Sequence, residues 1–467
     1  MLVPLIIACA LFMENLDSTA IATALPAISA SLGESPLHLS LAISAYLFSL
    51  AVFIPISGWV ADRYGARKVF RLAIVTFVLG SILCSFATSA LWLVLARVLQ
   101  GLGGAMMVPV GRLIMLRAVP KSELVRAMAW LTMPALIGPM LGPPLGGFIT
   151  TYLSWRWIFW INVPIGLLGL LLVTRFIPDV HEERPPPLDL RGFALSALGL
   201  VGLVFAFETI GRDLLPESAT LLLLAAGMLG VWLYVRHARR SPHPLLDLAL
   251  LRVPTFRTSI AGGFLFRIGI GATPFLLPLM FQAGFGLSAF SSGMLTFAAA
   301  AGAMAMKMTA APVLRLFGFK RVLIGNAVLS ACFLAAIGLF GPDTPHLLIL
   351  GVLLVGGFFR SLQFTSINTL GYADIERERM SRATSFASMM QQLSLSVGVG
   401  TGALLLHLSV AMRGGEHLVA ADFAPAFFAV ALVAALSALV YLPLPPDAGA
   451  EVSGRAPVVP ERRVGTL

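Results

Sequence analysis

Gly58-Trp59-Val60-Ala61-Asp62-Arg63-Tyr64-Gly65-Ala66-Arg67-Lys68 leads out of one uninterrupted apolar stretch, residues 39–61, and into another, residues 69–88. Each stretch has the roughly 20 residues that a helix needs to cross about 30 Å of hydrocarbon. Working outward from this loop, runs of the same kind lie near 4–28, 91–111, 127–151, 157–176, 191–209, 218–236, 258–282, 288–311, 319–340, 346–370, 383–408 and 420–444, fourteen in all. Their apolar residues are continuous rather than alternating, which predicts helices and excludes a lipid-facing barrel. Composition agrees: 58% of the 467 residues are hydrophobic and 12% are charged, too apolar for a water-soluble chain of this length.

The formal charge of +10 does not point to nucleic acid, because Lys and Arg are distributed asymmetrically. Arg97, Arg267, Lys307 and Arg360 fall inside apolar stretches. With the first crossing starting in the cytoplasm, only Arg156, Arg212 and Arg413 lie outside it, and the rest are cytoplasmic as the positive-inside rule requires. The expected location is the inner (plasma) membrane, crossed many times, with both termini cytoplasmic. The first apolar stretch has no basic leader and carries Glu14 and Asp17, so it reads as a retained helix. Cys9, Cys84 and Cys332 form neither a disulfide framework nor a metal-ligand cluster, and no metal or cofactor is expected.

The loop has an echo. Asp62-Arg63-Tyr64-Gly65-Ala66-Arg67-Lys68-Val69 is matched by Arg315-Leu316-Phe317-Gly318-Phe319-Lys320-Arg321-Val322. At a nearly constant separation Ala24-Leu25-Pro26 is matched by Leu276-Leu277-Pro278, Arg97-x-x-Gln100 by Arg360-x-x-Gln363, and Gly142 and Gly146 by Gly398 and Gly402. The shared order maps six crossings onto six others. The expected fold is all-α, with a first six-helix bundle (1–176), a linker with two further crossings (177–257), a second six-helix bundle (258–444) and a short tail (445–467).

At this point the motifs carry a family resemblance. The loop at Gly58–Lys68 is similar to the signature between the second and third helices of the major facilitator superfamily. Leu16-Asp17-Ser18-Thr19 with Ala24-Leu25-Pro26 resembles the first-helix motif of its fourteen-helix drug:proton antiporters, the EmrB/QacA-type group, and within it the MdtD-like multidrug-resistance branch. Arg97-x-x-Gln100-Gly101-x-Gly103-Gly104 is similar to the fourth-helix motif. Gly138-Pro139-x-x-Gly142-Pro143-x-x-Gly146-Gly147 resembles the fifth-helix antiporter motif, and Trp155–Pro164 the turn into the sixth helix. Ala22-Thr23 departs from the Val-Asn common in the first motif. The resemblance implies proton-coupled export of small organic molecules or drugs, with Asp62 as a cytoplasmic latch and Gly58, Arg63, Gly65 and Arg67 around it.

The residues carry their own physical reading. Gly58 permits close backbone approach, while Arg67 and Lys68 can simply anchor topology at anionic headgroups. Gly138, Gly142 and Gly146 recur every fourth residue, a stripe on which another helix can pack backbone to backbone, and Pro139 and Pro143 let it bend. Glu14 and Asp17, three apart, share a helix face at membrane depth, where a carboxyl group must be paired, hydrated or protonated. They are the candidates for proton coupling, with Arg97 biasing them. The alternative is that Asp17 is only a structural partner of Arg97, or Arg97 of Gln100. Arg267 and Arg360 put guanidinium groups in the second half, with Gln363, Asn368 and Gln100 as neutral hydrogen-bonding groups for a solute. Arginine binds carboxylates bidentately, so an anionic or zwitterionic metabolite is the alternative cargo. Lys307 reads as snorkelling to an interface.

No Gly-x-Ser-x-Gly elbow, His-rich helix pair or phosphate loop is present, so an enzyme or ATP-driven pump is not expected. A non-transporting membrane sensor would more naturally carry a soluble output domain than a short tail. The expected partners are the solute, protons and the bilayer; the chain is expected to act as a monomer, with any envelope partner open.

Overall fold

The computed structural model describes residues 2–118, 124–177, 187–209, 216–242, 244–376, 379–415 and 418–453. The Arg212–Asp213 pair and positions 454–467 of the tail lie outside the described residues. All regular elements among the described residues are helical: α1 (Leu2–Leu32), α2 (Pro36–Tyr64), α3 (Ala66–Ser85), α4 (Ala90–Ala118), α5 (Leu124–Tyr152), the single turn α6 (Trp157–Trp160), α7 (Asn162–Phe176), α8 (Leu190–Thr209) and α9 (Glu217–Ala238). They continue with α10 (Pro254–Leu279), α11 (Ala289–Phe317), α12 (Phe319–Ile337), α13 (His346–Gly371), α14 (Met380–Arg413), α15 (Phe423–Tyr441) and the short α16 (Ala450–Ser453). Twelve helical spans among the described residues are long and apolar enough to cross a membrane, and Leu190–Ala206 is a shorter apolar helix. The helix α5 is additional to those twelve.

The two loops that echo each other in sequence form the same kind of joint. The sharp joints α2–α3 and α11–α12 are each made by a glycine in the left-handed region, Gly65 at φ 90° and Gly318 at φ 76°. Gly33 and Gly286, at φ 67° and 69°, mark the matching turns at the other face of the bundle. A side chain would be strained at all four, which fixes why the loops retain glycine there. The Gly58 reading is corrected: a Cβ there would meet nothing within 4 Å, so close approach does not explain that glycine.

Within the first half α1 packs on α5 and α2 on α4; in the second half α10 packs on α14 and α11 on α13. The halves join along two seams, α5 against α11 and α2 against α14. The glycine stripe serves the first of these arrangements. Cβ atoms at Gly138, Gly142 and Gly146 would run into Asn15, Thr19 and Ala20 of α1, so the stripe lets α5 lie against α1 almost backbone to backbone. The neighbouring face does different work: a Cβ at Gly147 would overlap the Ala289 carbonyl of α11. At the Gly33 face the seam is laced by Gln282 Nε2 donating to the Thr23 carbonyl at 2.8 Å and Phe290 N donating to Thr151 Oγ1 at 3.0 Å. Phe290 also meets the rings of Phe148 and Tyr152.

The α8–α9 hairpin stands beside this body. Gly199 and Gly202 face Gly230 and Gly227, so its two helices touch through their backbones. Asp189 before α8 joins His237 of α9 at 2.7 Å. Asp247, in the loop that follows, takes a 3.0 Å bond from Arg379 at the start of α14.

Candidate functional site

Two polar centres stand out at membrane depth, one in each half. In the first, Asp17 of α1 and Arg97 of α4 form an ion pair at 2.5 Å with both side chains fully buried. Asp17 Oδ1 also accepts from Gln100 Nε2 at 3.0 Å and Asn162 Nδ2 at 2.7 Å. Arg97 further donates to Gln100 Oε1 at 2.6 Å and the Ala42 carbonyl at 3.3 Å, and its guanidinium lies 4.2 Å from the Tyr46 ring centre. Ser81 of α3 accepts from both Gln100 and Asn162. One carboxylate thus draws donors from α4 and α7, and the network takes in α2 and α3. A buried charge is tolerable when it is paired and fully hydrogen-bonded, and the Asp17 carboxylate meets that condition. Glu14, one turn earlier on α1, is buried near Gly104 and Tyr46; a Cβ at Gly104 would lie 3.7 Å from its carboxyl carbon.

In the second half the matching positions are wired differently. Gln363 is buried, donates to the Leu323 carbonyl at 3.0 Å and accepts from Asn326 at 3.0 Å, tying α13 to α12. Arg267 donates to Asn368 Oδ1 at 2.8 Å and sits 5.4 Å from the Phe364 ring centre. Arg360, the counterpart of Arg97, has no hydrogen bond or ion pair among the described residues and lines a cavity of about 340 Å³. The cavity is bounded by both halves: Thr19, Ala22 and Thr23 of α1 and Pro139, Met140 and Pro143 of α5 face residues of α10, α11, α12 and α13. Lys307 lines it too and donates from Nζ to Thr365 Oγ1 at 3.0 Å. No Asp or Glu is among its lining residues that are described.

An all-helical chain with twelve membrane-length apolar spans among its described residues, packed around a cavity with buried polar groups beside it, has the architecture of a membrane transporter. The family model described as Major Facilitator Superfamily matches residues 7–399 and 260–464. The chain belongs to the Major Facilitator Superfamily. It is a multi-pass membrane transporter and not an enzyme. A Citrobacter koseri protein named MdtD, described as a candidate multidrug resistance protein, is 40% identical over 453 residues, which cover 95% of this chain and 94% of that one. The same-named protein of an Enterobacter species is 39% identical over 458 residues, 96% and 95% of the two chains. Among solved structures, a D-xylose–proton symporter is similar with a TM-score of 0.68 at 16% identity, covering 96% of this chain and 98% of that chain. A bacterial homologue of the lysosomal transporter Spinster, in an inward-facing conformation, gives 0.65 at 15%, covering 98% of each chain.

Set within this major facilitator fold, the sequence-derived residues fall into three groups. Asp17, Arg97 and Gln100 come together in the first-half network, with Glu14 a turn away. Arg360 reaches the cavity, while Gln363, Asn368, Arg267 and Gln100 are absent from its lining. Phe364 stands between Arg267 and the cavity, lining one and contacting the other. Asp62 and Arg63 lie in the last turn of α2, and Arg67 Nη2 donates to the Thr174 carbonyl at 2.5 Å, holding α3 to the end of α7. Asn162, Ser81 and Tyr46 around the ion pair, and Lys307 at the cavity, are among the polar residues that sequence reasoning did not place in a site. Lys307, expected to snorkel, is exposed at the end of its apolar span and also lines the cavity, with Thr296, Ala300 and Ala303 at helical spacing on the same face of α11. That stripe was the available signal.

Proposed function

We propose that this transporter exports small organic solutes in exchange for protons, and that protonation of Asp17 is the coupling event. The observation that carries the reading is the sealed Asp17–Arg97 pair in one half beside a cavity shared by both. Adding a proton to Asp17 removes the negative charge that Arg97, Gln100 and Asn162 address. Arg97 then retains neutral acceptors and the Tyr46 ring, so α1, α4 and α7 lose the contact that fixes their spacing. Glu14, on the same face one turn nearer the α2–α3 joint, is a way station for the proton. The α5 stripe on α1 and the Gly147–α11 contact form the seam along which the halves rock, with Pro139 and Pro143 giving α5 its compliance. Asp62 acts as the latch at the α2–α3 joint.

The reading includes fourteen crossings, α5 and α8 being added to the twelve apolar spans, grouped as 1–176, 177–257 and 258–444. It puts the Gly65 face in the cytoplasm of the inner membrane, because Arg63, Arg67, Lys68, Arg315, Lys320 and Arg321 flank its two joints, whereas Arg156 and Arg413 are at the other face. Export rather than uptake is supported by the α5 stripe and by the multidrug-resistance description of the relatives. The chain acts as a monomer.

A second reading of the cargo is favoured by one feature: Arg360 and Lys307 line a cavity with no carboxylate side chain among its described lining residues. Two cations with apolar surroundings suit an organic anion, such as a carboxylate carrying an apolar body, better than a lipophilic cation. Proton flux in proteoliposomes tests both readings, with internal pH followed as organic cations, neutral drugs and carboxylates are added. Antiport requires solute-dependent proton movement that Asp17→Asn abolishes. A response confined to carboxylates and lost in Arg360→Ala supports the anion; a response to lipophilic cations that survives Arg360→Ala sinks it.

A further inference from the structure

A second cleft, of about 320 Å³, lies away from the transport cavity, where α2, the start of α4 and the end of α8 converge near the Gly33 face. We propose that it holds an acyl chain of a membrane phospholipid with a primary-amine head group, drawn from the leaflet at that face. Its α2 wall runs from His38 to Phe48, ten residues or about 15 Å of helix rise. With the head group at His38, this length takes in the glycerol and ester region and the first carbons of one acyl chain. Apart from Ser44 the described lining below the mouth is apolar, and its charged groups among the described residues, Glu34 and His38, lie at the mouth.

The mouth suits an amine. Glu34 Oε2 is 3.4 Å from His38 Nδ1, and each side chain is 40% exposed, so the pair is ordered yet reachable from outside. A carboxylate accepts strong hydrogen bonds from a primary ammonium group, whereas a quaternary ammonium has no N–H to give. Deeper in the cleft Ser44 is buried to 1% exposure, and its hydroxyl has no hydrogen-bond partner. Orphan buried hydroxyls are costly, and this one lines the cleft about 9 Å of helix rise below His38. A phospholipid has ester carbonyls beneath its head group that can accept from it; a bare alkyl tail has none. The Ser44 carbonyl in turn accepts from Ser396 of α14 at 3.2 Å, so an occupant would rest against the α2–α14 seam between the halves.

The test uses the full chain in liposomes doped with phospholipids that bear a photoactivatable acyl chain and either an ethanolamine or a choline head. Crosslinked peptides are mapped by mass spectrometry. The expected result is labelling around Phe48, Ala90 and Phe205, several-fold stronger for ethanolamine than for choline. Glu34→Gln should erase that preference while leaving labelling in place. Ala90→Trp, or Val204→Trp from the α8 side should Ala90→Trp fail to fold, should fill the cleft and remove the label. Labelling unchanged in a folded filling variant, equal labelling by the two head groups in the wild type, or equal labelling by an ester-free single-chain amphiphile would each overturn the proposal.

Discussion

Arg97 and Arg360 occupy matching positions in the two halves, in α4 and α13, each three residues before a glutamine, yet their surroundings are opposite. Arg97 is enclosed by Asp17, Gln100, Ala42 and the Tyr46 ring. Arg360 faces the cavity without a partner among the described residues. The cause is one position on the neighbouring helix. Where α1 carries Asp17, α10 carries Gly269, and a Cβ there would come within 2.6 Å of the Val430 carbonyl of α15. The second half therefore packs α10 directly on α15 where the first half inserts a charged network between α1 and α7. The joints are alike in the two halves while the chemistry differs: an internal ion pair beside Arg97 in one, and in the other Arg360 facing the cavity.

Substitution of the two arginines should separate these roles most sharply. Arg97→Met leaves Asp17 buried with its cation gone, a loss of about 3–5 kcal/mol for a broken buried pair. Thermal unfolding in detergent should show a large fall in Tm and a poor yield. Arg360→Met removes a charge that nothing in the fold depends on, so Tm should be nearly unchanged while transport is lost. Comparable destabilisation by both would break the comparison, because it would mean that Arg360 also holds the scaffold together.

A smaller contrast concerns the paired glycines on α5 and α14. A Cβ at Gly146 would sit 2.7 Å from the Ala20 carbonyl of α1, a backbone atom that cannot move alone. Its counterpart Gly402 would put the Cβ 3.1 Å from the Ala272 methyl group and 3.3 Å from Leu276, a tight contact but a longer one than at Gly146. Gly146→Ala is expected to cost about 1–3 kcal/mol, as overpacking does, and to slow transport. Gly402→Ala should cost less on both measures. Equal effects would show that the α1–α5 contact is no tighter in its consequences than α10–α14.

Much of this architecture was legible before any coordinates. Apolar runs determine where helices cross lipid because an unsatisfied backbone has no alternative there, and Gly65 and Gly318 announced the joints because a chain reversing so sharply needs a positive φ. The α5 stripe was legible as a packing face, though not that its partner is α1. The sites were harder. Asp17, Arg97 and Gln100 could be grouped from their charge at membrane depth, but Asn162, far along the chain, joins them only through the packing of α7. Gln363 and Asn368 were polar and deep, as a solute site demands, yet both are directed at protein groups. Polarity in a helix does not reveal which way the side chain points. Lys307 shows the same limit: its place near the end of an apolar span was legible, but not that its helix face also borders the cavity.

The finest test compares the two asparagines that complete the polar centres. Asn162 Nδ2 donates to a carboxylate, Asp17, at 2.7 Å and to Ser81 at 3.0 Å. Asn326 Nδ2 donates only to neutral oxygens, the Phe359 carbonyl at 2.8 Å and Gln363 at 3.0 Å. Hydrogen bonds to charged groups contribute about 1.5–3 kcal/mol and neutral ones about 0.5–1.5 kcal/mol. Replacing each asparagine by leucine keeps the branching and heavy-atom count and adds the same bulk at both sites, so the difference between the two falls in Tm should report the charge on the acceptor. Asn162→Leu should fall further by about 1 kcal/mol of stability at neutral pH. Adding Asp17→Asn should shrink that excess, since the acceptor is then neutral in both halves. If the excess persists in the double variant, Asn162 owes its importance to packing between α1, α3 and α7 and not to the carboxylate, and the electrostatic contrast between the halves narrows to Arg97 and Arg360 alone.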